Sequence, residues 1–435
     1  MWAYTSVFYQ IYPLSITGAP FRNDGVERHS ILHLKEWLPH IHSLGCDALY
    51  FSPVFESDSH GYDTRDYRKI DVRLGTNDDF AQVCQEAKKQ GFKIILDGVF
   101  HHVGRGNFAF IDVLQNRENS KYLHWFHIDL NGNSNYNDGL WYEGWEGHYE
   151  LVKLNLQNED VIQYLLDSVG CWIDWWDIDG LRLDVAYCLD ESFLRRLRNY
   201  TNEKKSEFFL LGEMIHGDYN RLLKDGLLHS VTNYECYKGI YSALNSMNLF
   251  EIVHSMIREF GNPDGGIYHG AHLLSFVDNH DVSRIASILQ NPAHLPIAYA
   301  LLFAIPGIPM IYYGSEWGIS GNKSDGDSAL RPCLSTWEEN ALSESIRSFA
   351  RIRLSHSCLQ YGSFQSLILT NKQCVFARND GQECIYIAIN ADATPYRIQL
   401  QTPDQELTDL VDGTSYQVSN GIVLEPYRAY FLIRK

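Results

Sequence analysis

GLRLDVA, residues 180–186, decides how the rest of the chain is read. Leu181, Leu183 and Val185 are apolar and alternate with Arg182 and Asp184, the period of a short buried strand. Arg182 and Asp184 stand two apart, so their side chains project to one face. An amphipathic segment (159–178) precedes this stretch and a charged one (190–205) follows it. Helix–strand–helix is the rhythm of a parallel sheet covered on both sides. A charge pair inside such a sheet is costly unless it has partners and a task. Strand ends of this kind carry the catalytic groups of barrel enzymes.

The same alternation extends in both directions. FYQIYP (8–13), ALYFSPVF (48–55) and FKIILDGV (92–99) read as strands one to three. Helices separate them at 29–44, where Ile31, Leu34, Leu38 and Ile41 share a face, and after a cap at Thr76 or Asn77. Beyond 180–186, FFLLGEM (208–214), LHSVTNYE (228–235), HLLSFVDNHD (272–281) and IPMIYYG (308–314) supply strands five to eight, with helices near 237–260, 293–304 and 338–354. Eight strand-then-helix units predict an α/β fold, a (β/α)8 TIM barrel over residues 1–356. The alternation pauses at 103–150, a stretch rich in Asn, Gly, Trp and Tyr, read as a loop insertion after strand three. From 357 to 435 short alternating runs such as FQSLIL, CVFARN and ECIYIAIN predict a C-terminal all-β sandwich domain.

Composition narrows the partners. A formal net charge of −18 disfavours nucleic acid and anionic membranes. No transmembrane span is evident, and MWAYTSVFYQIYPL lacks the basic start of a signal peptide. The 9 cysteines form no CxxC pair and read as reduced, buried thiols of a cytoplasmic protein. The 10 Trp and 27 Tyr offer stacking surfaces for a neutral ring such as a sugar, besides ordinary core packing.

Acidic residues close four of the predicted strands: Asp97, Asp184, Glu213 and Asp281, with Asp278 nearby. Parallel barrel strands end on one rim, so these carboxylates converge there, together with His102, Arg182 and His280. Clustered, half-buried acids raise one another's pKa, leaving one able to act as a proton donor. Cleavage of a glycosidic bond needs that pairing of an acid with a carboxylate.

DGVFHH (97–102), GLRLDVA (180–186), GEMIH (212–216) and FVDNHD (276–281) resemble, in order and separation, the four short regions of the α-amylase family of retaining glycoside hydrolases. VKLN (152–155), HGYDTRDYRKIDVRLGT (60–76) and GIPMIYYGSEWG (307–318) extend the likeness over the whole barrel, most closely to the neopullulanase and cyclomaltodextrinase branch. The resemblance implies Asp184 as nucleophile, Glu213 as acid and then base, and Asp281 as the group that binds sugar hydroxyls and favours ring distortion. It implies that Arg182 keeps Asp184 ionised, that His102 and His280 bond hydroxyls, and that Tyr62 stacks on the ring. Asp97 is implied as a brace, and Asp63 and Arg331 as the pocket's closed end. Trp141, Trp145 and Trp317 are candidates for stacking on further rings.

The expected reaction is therefore double displacement at α-1,4 bonds of maltodextrins or cyclodextrins, with no cofactor. Transfer to a sugar hydroxyl, or α-1,6- or sucrose-directed cleavage, are the alternatives on the same fold. A non-catalytic sugar binder predicts loss of one of Asp184, Glu213 and Asp281, and all three are present. His101 stands where many relatives carry an Asn that ligates structural Ca²⁺, and imidazole is a poor calcium ligand, so no metal is expected. Ile215 replaces an aromatic residue often found two positions after the acid. The chain begins at strand one, where that branch usually carries an extra β domain used in dimerisation, and oligomeric state is left open.

Overall fold

A computed structural model describes residues 1–261 and 265–434. Among them the barrel strands are β1 (Phe8–Ile11), β2 (Ala48–Phe51), β3 (Lys93–Gly98), β4 (Gly180–Leu183), β5 (Phe209–Gly212), β6 (Ser230–Val231), β7 (Leu274–Phe276) and β8 (Ile308–Tyr312). They pair in parallel as one sheet. It closes where Thr232, just past β6, bridges Leu274 and the Asn233 N–H donates to the Leu274 carbonyl at 2.8 Å. This is the TIM barrel expected from the alternation.

Strand parity divides the barrel interior into two zones. Phe8, Ala48, Ile95, Phe209, Leu274 and Ile308 point inward and fill the lower half. Trp2 plugs that end, its ring 5.7 Å from both Phe8 and Phe209. Above them the inward positions turn polar: Gln10 on β1, Asp97 on β3 and Arg182 on β4. Asp97 and Arg182 are register partners on adjacent strands. The opposite faces of the strands meet the helices in a second, larger apolar core.

Several expected elements are shorter or divided. β2 stops at Phe51, and Phe55–Ser57 instead pairs antiparallel with Thr64–Ile70. β4 ends at Leu183 because Val185 has φ 41° and ψ 45°, which no strand tolerates. The single helix expected near 237–260 is two, Tyr234–Ser246 and Phe250–Phe260, parted by Met247 at φ 53°. Methionine is a good helix former, so its identity gives no warning of that break. The loop expected at 103–150 is a small subdomain. It holds a helix, Phe108–Asn116, and an antiparallel sheet of His102–Gly104, His148–Lys153 and Gly144–Trp145. That sheet lies over the carboxyl ends of the barrel strands.

The helix Ala341–Ser355 and the short helix Ser357–Tyr361 end the barrel. Strands Ser363–Leu369, Gln373–Asn379, Cys384–Asn390, Glu406–Asp409, Ser415–Gln417 and Arg428–Arg434 form an antiparallel sheet. Tyr396–Ile398 and Ile422–Leu424 pair separately. Their inner faces share an apolar core of Val375, Ala388, Ile398, Leu407 and Leu432. Arg378 fastens this domain to the barrel by donating to the Ala304 carbonyl at 2.7 Å. All nine cysteines are free; Cys188, which ends the single 3-10 turn Ala186–Cys188, and Cys333, in a loop, are exposed, contrary to the expectation of burial. Among the described residues, no helix is long and apolar enough to cross a membrane.

Truncating the barrel plug tests this arrangement. Trp2→Ala should cost about 2 kcal/mol, read as a lower urea midpoint with an unchanged slope, since it empties partly exposed aromatic volume against Phe8 and Phe209.

Candidate active site

Arg182 stands at the centre of the polar zone. Its Nη1 donates to Asp97 Oδ1 and Asp184 Oδ1, each at 2.8 Å, and Nη2 lies 2.8 Å from Glu213 Oε1. One planar guanidinium, with five N–H donors in a fixed fork, thus ties together the carboxylates that close β3, β4 and β5. Burial works against its charge, and Asp97 and Glu213 more than offset that, so Arg182 stays protonated.

The turn after β4 completes the acid pair. Val185, a β-branched residue in the left-handed region, presents its backbone N–H to Glu213 Oε2 at 2.8 Å. Such a conformation costs about 1–3 kcal/mol and persists only where the surroundings enforce it. Gly212 allows Glu213 to sit there: a Cβ on it would lie 2.4 Å from Leu228 Cδ1 and 3.0 Å from Ala186 Cβ.

A second network holds Asp281. Gln10 Nε2 lies 2.8 Å from His280 Nδ1, which assigns the ring proton to Nε2. That nitrogen is 2.9 Å from Asp281 Oδ2 and 2.5 Å from the Tyr62 hydroxyl. Tyr62 donates onward to Asp97 Oδ2 at 2.9 Å, and Tyr50 donates to the same oxygen at 2.8 Å. Arg331 Nη2 is 3.0 Å from Asp281 Oδ1, and its Nε donates to the His280 carbonyl at 3.0 Å. The Tyr62 and Arg182 networks therefore meet at Asp97.

These partners separate the acids electrostatically. Burial pushes the Asp184 carboxyl up against the pull of Arg182, with Glu213 and Asp97 adding to the rise. Burial likewise raises Glu213 against Arg182, and Asp281 adds to it. Burial acts on Asp281 in the same sense, but His280 and then Arg331 outweigh it and hold that carboxyl below its usual range. The cluster thus combines a fixed anion, Asp281, with two acids that share protons above the ordinary carboxylate range.

Asp184, Glu213, Asp281, Tyr62, His102 and Arg331 all line one cavity of about 400 Å³. His102 is buried, its Nε2 has no partner, and that atom lies 3.9 Å from Asp184 Oδ2. It is a donor or acceptor aimed at whatever occupies the cavity. Asp63 does not line this cavity: it accepts from Ser59 Oγ at 2.5 Å and from the Gly61 N–H at 3.2 Å, bracing the loop that carries His60 and Tyr62. Of the tryptophans, Trp145 lines the cavity and stacks on His148 at 5.5 Å. Trp141 lies outside it, donating to the Tyr149 hydroxyl at 3.2 Å, and Trp317 stacks on Trp37 at 6.2 Å in the helical layer.

Sequence reasoning missed Gln10, Tyr50, His60, Glu150 and Tyr234. Inward parity on β1 and β2 marks Gln10 and Tyr50. The resemblance quoted His60 without a role, and no local signal marks Glu150 or Tyr234. The residues at His101 do not fit a calcium ion. Its Nδ1 lies 3.2 Å from His102 Nδ1, and burial together with the Lys153 ammonium lowers its pKa to about 4. A neighbouring ammonium disfavours a hard cation that prefers oxygen ligands. Among the described residues, no cluster of three His, Cys, Asp or Glu is arranged to hold a metal.

The profile of the alpha amylase catalytic domain matches residues 10–355. A neopullulanase 2 of Thermoactinomyces vulgaris is 31% identical over 468 residues, covering 99% of this chain and 78% of the relative. A cyclomaltodextrinase of a Bacillus species is 29% identical over 429 residues, covering 92% and 75%. Among solved structures, the cyclic alpha-maltosyl-(1→6)-maltose hydrolase of Arthrobacter globiformis superposes with a TM-score of 0.83 at 26% identity, covering 100% of both chains.

The raised acid has a thermodynamic signature. A carboxyl whose folded pKa lies above its unfolded value favours the fold while protonated, and that contribution is lost as pH rises through the folded value. Glu213→Gln should therefore gain thermal midpoint relative to the unsubstituted chain as pH rises above the ordinary glutamate value of about 4.3. Equal pH dependence in the two proteins would show that Glu213 is not raised.

Proposed function

This chain belongs to the α-amylase family and is a glycoside hydrolase, and from that premise we propose that it cleaves α-1,4 bonds of short glucans, linear maltodextrins and cyclodextrins, by double displacement. The observation that carries this reading is the guanidinium shared by Asp184 and Glu213 at the wall of one cavity. Both carboxyls reach one guanidinium at 2.8 Å, which supports the short separation of a retaining pair over the wider one of an inverting pair.

In the first step the Asp184 carboxylate attacks the anomeric carbon, forming a glycosyl ester as the bond to the leaving sugar breaks. Glu213 delivers its proton to the departing oxygen. Double displacement takes Asp184 in its ionised form, which accepts a hydrogen bond from Arg182 Nη1 at 2.8 Å, with the proton of the pair on Glu213. Asp281, held anionic, accepts hydroxyl hydrogen bonds from the same sugar. His102 Nε2 bonds another hydroxyl, and Tyr62, fixed by Asp97, packs on the ring. In the second step Glu213, now a carboxylate, takes a proton from water, which attacks the same carbon and releases Asp184. Nothing in this sequence calls for a cofactor.

The names of the relatives, cyclomaltodextrinase and neopullulanase, support the substrate class. Nine free cysteines suit a reducing compartment, in support of a cytoplasmic location.

Incubation with maltoheptaose and with a cyclodextrin, followed by proton NMR, tests the reading. The first anomer released should be α, and Glu213→Gln should lower kcat by about 10²–10⁴-fold. The loss should be much smaller with an aryl or fluoride leaving group that needs no proton. A β anomer as first product would contradict double displacement.

A further inference from the structure

Lys323, Asp327 and Arg331 line the reaction cavity and come from one loop after β8. Residues 322–328 of that loop are exposed, and its regular pieces are the single turns Lys323–Asp325 and Asp327–Leu330. Within it, Lys323 Nζ lies 2.6 Å from Asp327 Oδ1, and Arg331 Nη2 lies 3.2 Å from Asp327 Oδ2. Pairs this open to water are weak. They do not account for Arg331, at the end of so exposed a loop, being held against Asp281.

A second arginine does account for it. Arg284, three residues beyond Asp281, is fully buried. Its backbone N–H donates to the Gly321 carbonyl at 2.9 Å, where the loop begins. Its Nη2 donates to the Leu330 carbonyl at 2.8 Å, where the loop ends, one residue before Arg331. Its Nη1 donates to the Tyr313 carbonyl at 2.6 Å and to Ser315 Oγ at 2.8 Å, and the guanidinium lies 4.0 Å over the Tyr312 ring. One side chain thus joins the segment after β7 to the end of β8 and to both feet of the loop. Only a planar fork reaches acceptors in these diverging directions.

The neighbours of Arg284 reinforce the join. The Gly321 N–H donates to Ser287 Oγ and the Lys323 N–H to Ser283 Oγ, each at 2.8 Å. The feet themselves touch: a Cβ on Gly321 would run into the Ala329 carbonyl. Among the described residues no carboxylate pairs with Arg284 directly, and Asp278 answers its charge through Ser315, whose hydroxyl donates to Asp278 Oδ2 at 2.8 Å. The same oxygen accepts from the Ile285 N–H at 2.8 Å. Asp278, which has no part in the reaction, thereby anchors the clamp to β7.

We propose that Arg284 is a positioning residue: it clamps the loop 321–330 at its feet and so sets Arg331 against Asp281. This rests on the function proposed above. Arg284 does not line the reaction cavity. Its effect passes through the Leu330 carbonyl to Arg331, whose Nε donates to the His280 carbonyl and whose Nη2 meets Asp281 Oδ1, each at 3.0 Å. Freed from the clamp, Arg331 follows its exposed loop, and Asp281 loses one of the two cations that hold it anionic.

A mutant cycle tests this, with kcat/KM for maltoheptaose as the readout and thermal midpoints as the check of folding. Arg284→Met should lower kcat/KM by about tenfold, the worth of one hydrogen bond to a charged group. Added to Arg331→Ala it should cost nothing further, because both changes remove the same contact. Added to His102→Ala, in the segment after β3, its loss should multiply. Gly321→Ala parts the feet from the loop's side without touching the buried network, and should show the same pattern even where Arg284→Met does not fold. Losses that multiply with Arg331→Ala, or an unchanged kcat/KM in folded Arg284→Met or Gly321→Ala, overturn the clamp and leave the proposed function standing. No turnover by the unsubstituted chain contradicts the proposed function and this inference with it.

Discussion

The site depends on one buried cation answering three buried anions. Arg182 holds Asp97 and Asp184 through hydrogen bonds of 2.8 Å and forms an ion pair with Glu213 at the same distance. Burying any of these charges alone is costly, and removing one partner from such a cluster is costlier still. Because three acids share one positive charge, at least one of them retains a proton more readily than a free carboxyl. The barrel thus obtains a proton donor and a carboxylate side by side from two acids of ordinary intrinsic strength.

The geometry around that cluster follows from strand register. Asp97 and Arg182 are paired across adjacent strands, and the Glu213 N–H donates to the Leu183 carbonyl at 2.9 Å. The strained turn at Val185 is the exception to regular geometry, and it lies between Asp184 and Glu213. Its left-handed backbone turns an N–H onto Glu213 that a continuing strand would have given to a neighbouring strand. Backbone strain there is offset by a hydrogen bond to a charged group, which is stronger than one between neutral partners. Below, the apolar filling of the barrel and the Trp2 plug keep water from the cluster's underside.

Much of this was legible in the sequence, for identifiable reasons. Alternation gave all eight barrel strands, and the spacing of Arg182 and Asp184 placed them on one face, where they do pair. The acids at four strand ends meet at one rim because parallel strands share a direction. What could not be read was tertiary. β6 is only two residues long because Asn233 caps a helix immediately after it. Met247 breaks a helix that its own propensity would continue. Asp63 spends its oxygens on its own loop, and Trp317 packs in the helical layer. Conversely, Glu150 and Trp145 reach the cavity only because the insertion folds into a sheet across the rim, and its Asn- and Gly-rich composition reads locally as loop.

The central claim is that Asp184 attacks while Glu213 donates, both set in place by Arg182. The most direct measurement is peptide mapping by mass spectrometry after incubation with a fluorinated α-glucosyl fluoride, which forms a glycosyl ester faster than water can cleave it. The account predicts one added sugar, carried by Asp184, and none in an Arg182→Met variant over the same interval. A sugar on Glu213, or a labelling rate indifferent to Arg182, would contradict it.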